Sequence, residues 1–441
     1  MMLTGSNIVF GIALIIGVGF FVRSIKRLRA SIFQGRKVEV NDQKLQRFKQ
    51  MALIAIGQSK MVKKPISGAL HIIVYLGFII INIEVLEIII DGLFGTHRFF
   101  SFLGSFYSVL IGSFEVLAFL VIGAVTVFWI RRNIIRIKRF IIPEMRGWPK
   151  FDANLILYIE VVLMSLFLLM NAADQNLQEL GVAPYHVAGS FPISSMIAPL
   201  LASFSIEQLI WIERSTWWLH ILGILGFLNY LYYSKHLHIL LAFPNTYYGK
   251  LTPKGQLSND QQVKKEVAQM LDPNFDPYAP VTETEQLPEA FGACDVTDLS
   301  WVQLMNSYSC TECGRCTSSC PANQTGKLLS PRKIMMDTRD RLDEVGKNIR
   351  KHGKDYDDGK SLLTDYISAE ELWACTSCNA CVEECPVNID PLSIITEMRR
   401  YLVMEESKAP SELATMFTNI ENNGAPWQFS QADRLNWKDE N

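Results

Sequence analysis

The 441 residues are 49% hydrophobic and 20% charged, with a formal net charge of −2, averages that on their own describe an ordinary globular protein. They conceal two unlike halves: up to Phe243 there are 22 Lys and Arg against 13 Asp and Glu, and beyond it 20 against 31, so a net +9 is followed by a net −11. With every long apolar run before Pro244 and all nine cysteines after Ala293, the split excludes a single soluble domain and a disulfide-stapled secreted protein, and an acidic soluble half argues against nucleic acid as a partner.

In chain order, five stretches approach the roughly 20 apolar residues that cross a bilayer: about 8–22, 69–90, 109–130, 153–170 and 217–233. The first has no basic residue before it and no small-residue cleavage site after it, so it reads as a retained helix rather than a signal peptide. Residues 191–212 are apolar but broken by Pro192 and Pro199, which reads as a re-entrant or surface piece, with a sixth span as the other reading. Lys and Arg fix the expected orientation. Twelve lie between Val22 and Ala69 and seven between Ile130 and Ala153, against only Arg98 and Arg214 in the opposite loops. The basic loops and everything after the fifth helix are therefore expected in the cytoplasm, with the N-terminus outside. That compartment is reducing, and thiolates persist there as metal ligands.

Ionisable groups inside membrane helices are costly. Glu84, Glu87, Glu115 and Glu160 are expected either to sit near the interface or bonded to a neighbouring helix, or to serve a proton path or quinone pocket. Of the seven histidines, His97 and His186 fall in outer loops and read as surface residues, and His352 is in the soluble half. His71 opens the second helix. His220 and His238 are 18 residues apart, five turns of a continuous helix, and so share a face, whereas His236 points nearly the opposite way. His71 and His238 are then level at the cytoplasmic side, and two facing imidazoles are what a six-coordinate haem b requires. His220 finds no histidine at its depth on the second helix, where 79–90 offer Asn82, Glu84 and Glu87. A quinone site is expected near the cytoplasmic haem, where Lys63, Lys64, Lys235 and His236 supply donors. Lys63 and Lys64 read equally as topology and lipid-headgroup residues, and His236 is the favoured proton exchanger.

Residues 244–300 hold six prolines and many acids and read as an extended linker between a membrane domain, 1–243, and a cluster domain, 301–408. The cluster domain contains Cys310-x2-Cys313-x2-Cys316-x3-Cys320-Pro321 and Cys375-x2-Cys378-x2-Cys381-x3-Cys385-Pro386. This run is the two-cluster signature, in which the fourth cysteine ligates the other cluster. The expected sets are Cys310, Cys313, Cys316 and Cys385 on one [4Fe–4S] cluster, and Cys375, Cys378, Cys381 and Cys320 on the other. Zinc is disfavoured, since it takes four ligands in two pairs. Cys294 is left unassigned, as an inert buried thiol. Fifty-four residues separate Cys320 from Cys375. They include a helical stretch at 330–351 opened by Pro331, and another helix is expected at 390–406. The domain thus reads as all-helical rather than as a small βαβ ferredoxin. The tail, 409–441, carries Trp427, Phe429 and Trp437, with Pro410 and Pro426 expected to prevent regular helix. Large aromatics in so short a segment read as partner anchors.

The membrane half resembles the cytochrome b subunit of respiratory nitrate reductase, over five helices and locally at Ser234-Lys235-His236-Leu237-His238 and the histidine 18 residues before. That family binds two haems through two histidines on each of the second and fifth helices. His71, His220 and His238 match, and the fourth position falls near Ile81. The cysteine half resembles the two-cluster subunit of heterodisulfide reductase and the C-terminal cluster domain of succinate dehydrogenase iron–sulfur subunits. The order of the halves is similar to the N-terminal part of fused membrane oxidoreductases that pass electrons from electron-transfer flavoprotein to menaquinone. In those relatives a CCG-type cysteine-rich module follows about where Asn423-Gly424-Ala425-Pro426-Trp427 stands here. The resemblance implies an all-α protein of the bacterial inner membrane: a five-helix cytochrome b bundle joined to a cytoplasmic two-cluster domain. Its cofactors would be two [4Fe–4S] clusters and one haem b, with a second haem open, and menaquinone. Its partners would be electron-transfer flavoprotein and a separate CCG-type iron–sulfur subunit. The other readings are a quinol-linked thiol–disulfide reductase subunit and a redox-sensing membrane anchor.

Overall fold

The computed structural model describes residues 5–439 except 254, 258 and 275–289. Among the described residues there is no β-strand, only isolated bridges at Arg36–Ser300 and Leu363–Ile367.

The first half holds α1 (Gly5–Ile32), α2 (Lys44–Met51), α3 (Pro65–Phe94), α4 (Ser105–Asn133), α5 (Trp148–Glu179), α6 (Ser194–Leu201), α7 (Ile206–Tyr230) and α8 (His238–Tyr247). Four of them, α1, α3, α4 and α5, are long and apolar enough to cross a membrane. The expected fifth, α7, packs against α1 and α5 in the same bundle. Glu207, Glu213 and Arg214 in its first turns make it too polar to qualify by composition. The proline-broken stretch 191–212 is split between α6, whose eight residues are too short to span and lie against α5, and the first turns of α7. The bundle core is built from Phe10, Ile111, Phe114, Phe167 and Ile221. Gly92 lets α1 and α3 approach: a Cβ there would stand 2.6 Å from the Phe10 ring.

The helix carrying His220 does not run on to His238. It ends at Tyr230 and gives way to two tight turns, Leu231–Tyr233 and Lys235–Leu237, with Ser234 extended between them. The cause is a buried polar knot. The Ser234 hydroxyl accepts the His236 N–H, and the buried Asp152 carboxylate accepts the Tyr230 hydroxyl at 2.6 Å and the Lys235 N–H at 3.2 Å. These bonds replace the helix bonds that would have continued α7. Pro244, expected to open the linker, lies inside α8. A proline forfeits only its own N–H there, and the helix continues to Tyr247. After α9 (Gln261–Met270), the part of the expected linker holding Pro277, Pro280 and Pro288 lies outside the described residues.

The second half comprises α10 (Trp301–Tyr308), α11 (Arg315–Ser318), α12 (Pro321–Gln324), α13 (Pro331–His352), α14 (Leu362–Asp365), α15 (Ala369–Trp373), α16 (Ala380–Glu384), α17 (Pro391–Met404) and α18 (Ser411–Asn423). The two long helices start where capping chemistry places them. The Ser330 hydroxyl accepts from the Lys333 N–H and the Asp390 carboxylate from the Ser393 N–H, each followed by proline at the first helical position. One hydrophobic core crosses the boundary between the halves: Leu28 and Ile32 of α1 and Leu237 pack with Leu299, Leu304, Ile334 and Leu342. The tail differs from expectation. Pro410 precedes α18 instead of preventing it, since a proline cannot break a helix that begins after it.

Candidate metal centres

The two cysteine runs fold as copies of one loop. In the first, Glu312 and Gly314 are left-handed, with φ of +54° and +68°. In the second, Ser377 and Asn379 occupy the same places with φ of +55° and +58°. Gly and Asn are the residues that adopt this conformation most readily, so their recurrence one position after the second cysteine has a steric reason. A Cβ on Gly314 would also strike the Arg332 guanidinium at 2.5 Å. Each loop then makes a short helix, α11 or α16, and ends on an extended cysteine, Cys320 or Cys385, held out of helix by the following proline.

The fourth cysteines cross over. Cys385 lies within electrostatic reach of Cys310, Cys313 and Cys316, and Cys320 within reach of Cys375 and Cys381. Burial raises the Cys310 thiol to about 12 and the Cys385 thiol to about 11, and pushes Cys316, Cys375 and Cys381 up as well. Without a metal these thiols stay protonated, and binding one would release their protons. No three His, Cys, Asp or Glu side chains among the described residues converge tightly enough to hold a single metal ion. Two four-thiol sets, each completed by the other motif's fourth cysteine, match the donor set of two [4Fe–4S] clusters. Backbone N–H groups already point at sulfur: Ser377 to Cys375 at 3.4 Å and Ile389 to Cys385 at 3.3 Å.

The two sets differ in position. The set with Cys385 abuts the membrane half. Lys60 of the α2–α3 connection donates to the carbonyls of Val382 and Cys385 and to Asn388, and Arg315, beside Cys316, donates to the carbonyls of Lys60 and Met61. The other set contains Cys378, the one exposed cysteine. Cys294 is half-buried, with its N–H bonded to Asp298.

Below the first set lie three imidazoles. The ring centres of His71 and His238 are 6.5 Å apart. Two imidazoles sharing one iron stand about 6 Å apart, from a metal–nitrogen bond of about 2 Å on each side and roughly 1 Å from nitrogen to ring centre. Nδ1 of His238 bonds the Lys235 carbonyl at 3.0 Å, which leaves Nε2 for a metal. His71 thus fits a haem ligand, and Arg315 links its surroundings to Cys316. His236 does not point away as expected, because the broken helix removes the five-turn geometry. Its ring centre is 5.6 Å from that of His238 and 5.8 Å from that of Phe227, and its Nδ1 is buried without a hydrogen-bond partner. Lys235 is not a free donor either. Its ammonium is spent on Glu312, on the Pro149 carbonyl at 2.9 Å and on Asp152 at 3.5 Å.

His220 is fully buried, with Nδ1 on the Leu163 carbonyl at 3.0 Å and Nε2 without a partner. Ile81 is buried in the same core. At the far end of the bundle a cavity of about 550 Å³ is lined by Glu84, Glu87, Arg98, Asp174, Glu213 and Trp217, among others. Glu87 accepts from Tyr107 at 2.9 Å and from the Phe100 N–H at 2.7 Å, whereas Glu84 Oε2 is buried without a partner. Glu115 accepts from Asn171 and from the N–H groups of Ile193 and Ser194, a structural role holding the start of α6. His97 is not the surface residue expected: it faces the buried Asp174 at 3.4 Å and lines the cavity. Sequence reasoning missed Arg98, whose bonds to Asp174 and Asn171 tie the loop after α3 to α5. A lone arginine in an outer loop gave no signal beyond its scarcity.

Residues 309–389 match the family of 4Fe-4S dicluster domains. Over 99% of its length the chain is similar, at 30% identity, to the "Probable iron-sulfur-binding oxidoreductase FadF" of Bacillus subtilis. Over its whole length it is 26% identical to the EtfAB:quinone oxidoreductase of Syntrophomonas wolfei. The chain spans 61% of the length of each of these two relatives. Over 24% of the chain, and 52% of the relative, it is 37% identical to one of the subunits of the ferredoxin/F(420)H(2)-dependent CoB-CoM heterodisulfide reductase of Methanosarcina acetivorans. No solved structure matches.

Proposed function

We propose that the chain is a membrane electron-transfer subunit linking a cytoplasmic donor to menaquinone. The observation that carries this reading is the order of the sites: a cysteine set that reaches the surface at Cys378, a second set against the membrane half, and facing imidazoles beneath it. Bound there, two [4Fe–4S] clusters and a haem b would supply one-electron carriers. Cys375, Cys378, Cys381 and Cys320 would hold the entry cluster, and Cys310, Cys313, Cys316 and Cys385 the inner one. His71 and His238 would hold the haem, the Lys235 carbonyl fixing the His238 tautomer.

Quinone reduction takes two protons with two electrons. His236 is the proposed proton donor, because it lies against His238 and its Nδ1 is unpartnered. Lys235 acts on the quinone only indirectly, through its hold on this turn. The far cavity with Glu84 is the competing site. It begins 13 residues further along α3, about 20 Å away, and would need a relay at His220. The proposed donor is electron-transfer flavoprotein acting through a CCG-type iron–sulfur subunit; the name of the S. wolfei relative, an EtfAB:quinone oxidoreductase, supports the flavoprotein. The heterodisulfide-reductase likeness covers only the cluster half, so it supports the clusters rather than a thiol substrate.

The test is quinone reduction by the purified complex, with haem absorbance recorded in parallel. His236→Ala is expected to lower turnover at least tenfold with the haem spectrum kept. Unchanged turnover in His236→Ala, with loss in Glu84→Gln, would move the site to the far cavity.

A further inference from the structure

α1 is two-faced along its whole length. Phe10, Leu28 and Ile32 are buried against the protein, and Gly17 meets Leu225 of α7. The opposite face is bare: Ile8, Ile12, Ile15 and Ile16 are 52–74% exposed. At about 100° per residue these isoleucines line up with Gly19, Arg23, Lys26, Arg27 and Ala30 on one stripe. Gly5 to Arg23 spans about 27 Å of helix rise, close to the roughly 30 Å of a bilayer's hydrocarbon core. The cations thus begin where hydrocarbon ends.

A fourth cation arrives from the other half. Where α13 crosses α1, Gly346 packs onto Ser31, a Cβ there standing 2.8 Å from the Ser31 hydroxyl. One turn on, Arg350 closes a cleft of about 400 Å³ with Arg23, Lys26 and Arg27, floored by Gly19, Val22 and Ala30. No acid lines it, and none of the four cations has an ion-pair partner among the described residues. Gly19 keeps the floor open, with nothing within 4 Å of the place a Cβ would take.

We propose that this cleft is a binding site for an anionic phospholipid, the phosphate held by Arg23, Lys26, Arg27 and Arg350 and one acyl chain lying on the isoleucine stripe. Scattered lysines and arginines at a helix exit serve topology. Here the cations converge from two halves of the chain, leave their charge uncompensated and continue an apolar track, the shape and polarity of a lipid. The bound lipid would also pin the end of α13, and with it the cluster half, to the membrane surface.

The experiment uses the full chain in nanodiscs of phosphatidylcholine with or without phosphatidylglycerol, with native mass spectrometry to count retained lipid and iron–sulfur absorbance to certify folding. Wild-type protein is expected to retain phosphatidylglycerol in preference to phosphatidylcholine. Arg27→Gln and Arg350→Gln should each weaken retention about fivefold, the worth of one basic residue at an anionic surface. The exposed Lys44→Gln and Lys49→Gln controls should not. Equal loss in the controls would reduce the effect to diffuse surface charge and overturn the site. Saturation of the cleft by inorganic phosphate alone, blocking lipid retention at millimolar concentration, would assign it to a free anion and overturn the lipid reading.

Discussion

At the scale of single residues, the cysteines and histidines are where the chemistry is most exposed to test. Cys320→Ser is expected to damage the cluster of the second motif, and Cys385→Ser that of the first, because each lies among the other motif's thiols. Low-temperature electron paramagnetic resonance on each variant reads which cluster is lost, and loss confined to the variant's own motif would refute the crossing. His71→Ala and His238→Ala should each abolish the low-spin b absorbance while the protein still inserts. Retention in His238→Ala with loss in His236→Ala would make His236 the ligand instead. Asp337 offers a pH test in the cluster half. Burial raises its carboxyl to about 6 despite the facing Lys333, with Glu371 and Asp340 adding in the same direction. A folded-state pKa above the unfolded one means that the charged form is the disfavoured one. The penalty is therefore full above pH 6 and vanishes as pH falls below about 4. Asp337→Asn should accordingly stabilise at pH 8 by on the order of 1 kcal/mol, with Lys333 still paired to Glu371 at 2.9 Å, and not at pH 4. Thermal melting at the two pH values checks it.

At the scale of elements, the break between α7 and α8 decides where the imidazoles go. A continuous helix would have put His236 and His238 on opposed faces; the turn at Ser234 brings both beside His71's partner site. Asp152 is the residue that holds this turn, accepting from Tyr230 and Lys235. Asp152→Ala removes both acceptors from a buried setting and is expected to cost about 1–3 kcal/mol. It should also shift the haem spectrum without touching a ligand. An unchanged spectrum at wild-type haem content would show that the turn does not position His238. The cysteine loops show the same dependence on special backbone. Glu312, Gly314, Ser377 and Asn379 supply left-handed turns that a regular helix cannot.

At the scale of the whole molecule, the halves are welded rather than tethered. The shared core around Leu28, Ile32, Leu299 and Leu304 is continued by the ion pairs Lys63–Glu383, Lys235–Glu312 and Arg332–Glu144. The tail stands clear of this core: Trp427, Phe429, Leu435 and Trp437 are exposed. Deleting residues 423–441 should therefore leave the melting temperature unchanged, since little buried surface is lost. It should remove a CCG-type partner on purification from native membranes. With an acidic second half, the proposed association should weaken as ionic strength rises. Co-purification of an unchanged set of subunits would take the tail out of the mechanism.

What the sequence by itself determined is what depends on spacing and composition. The cysteine run specifies its loops because three thiols within seven residues and a following proline leave few conformations. Ser330-Pro331 and Asp390-Pro391 mark helix starts because caps act locally. The apolar runs mark membrane helices because their length must match a bilayer. Tertiary structure alone decided the rest, because those outcomes depend on atoms far apart in the chain. Asp152 from α5 breaks the helix that periodicity would extend to His238, and Glu312 from a cysteine loop claims the ammonium of Lys235. Asp174 draws His97 inward, and the crossing of α13 over α1 sets Arg350 beside Arg27. A buried charge takes the partner that packing brings to it, and no local pattern names that partner.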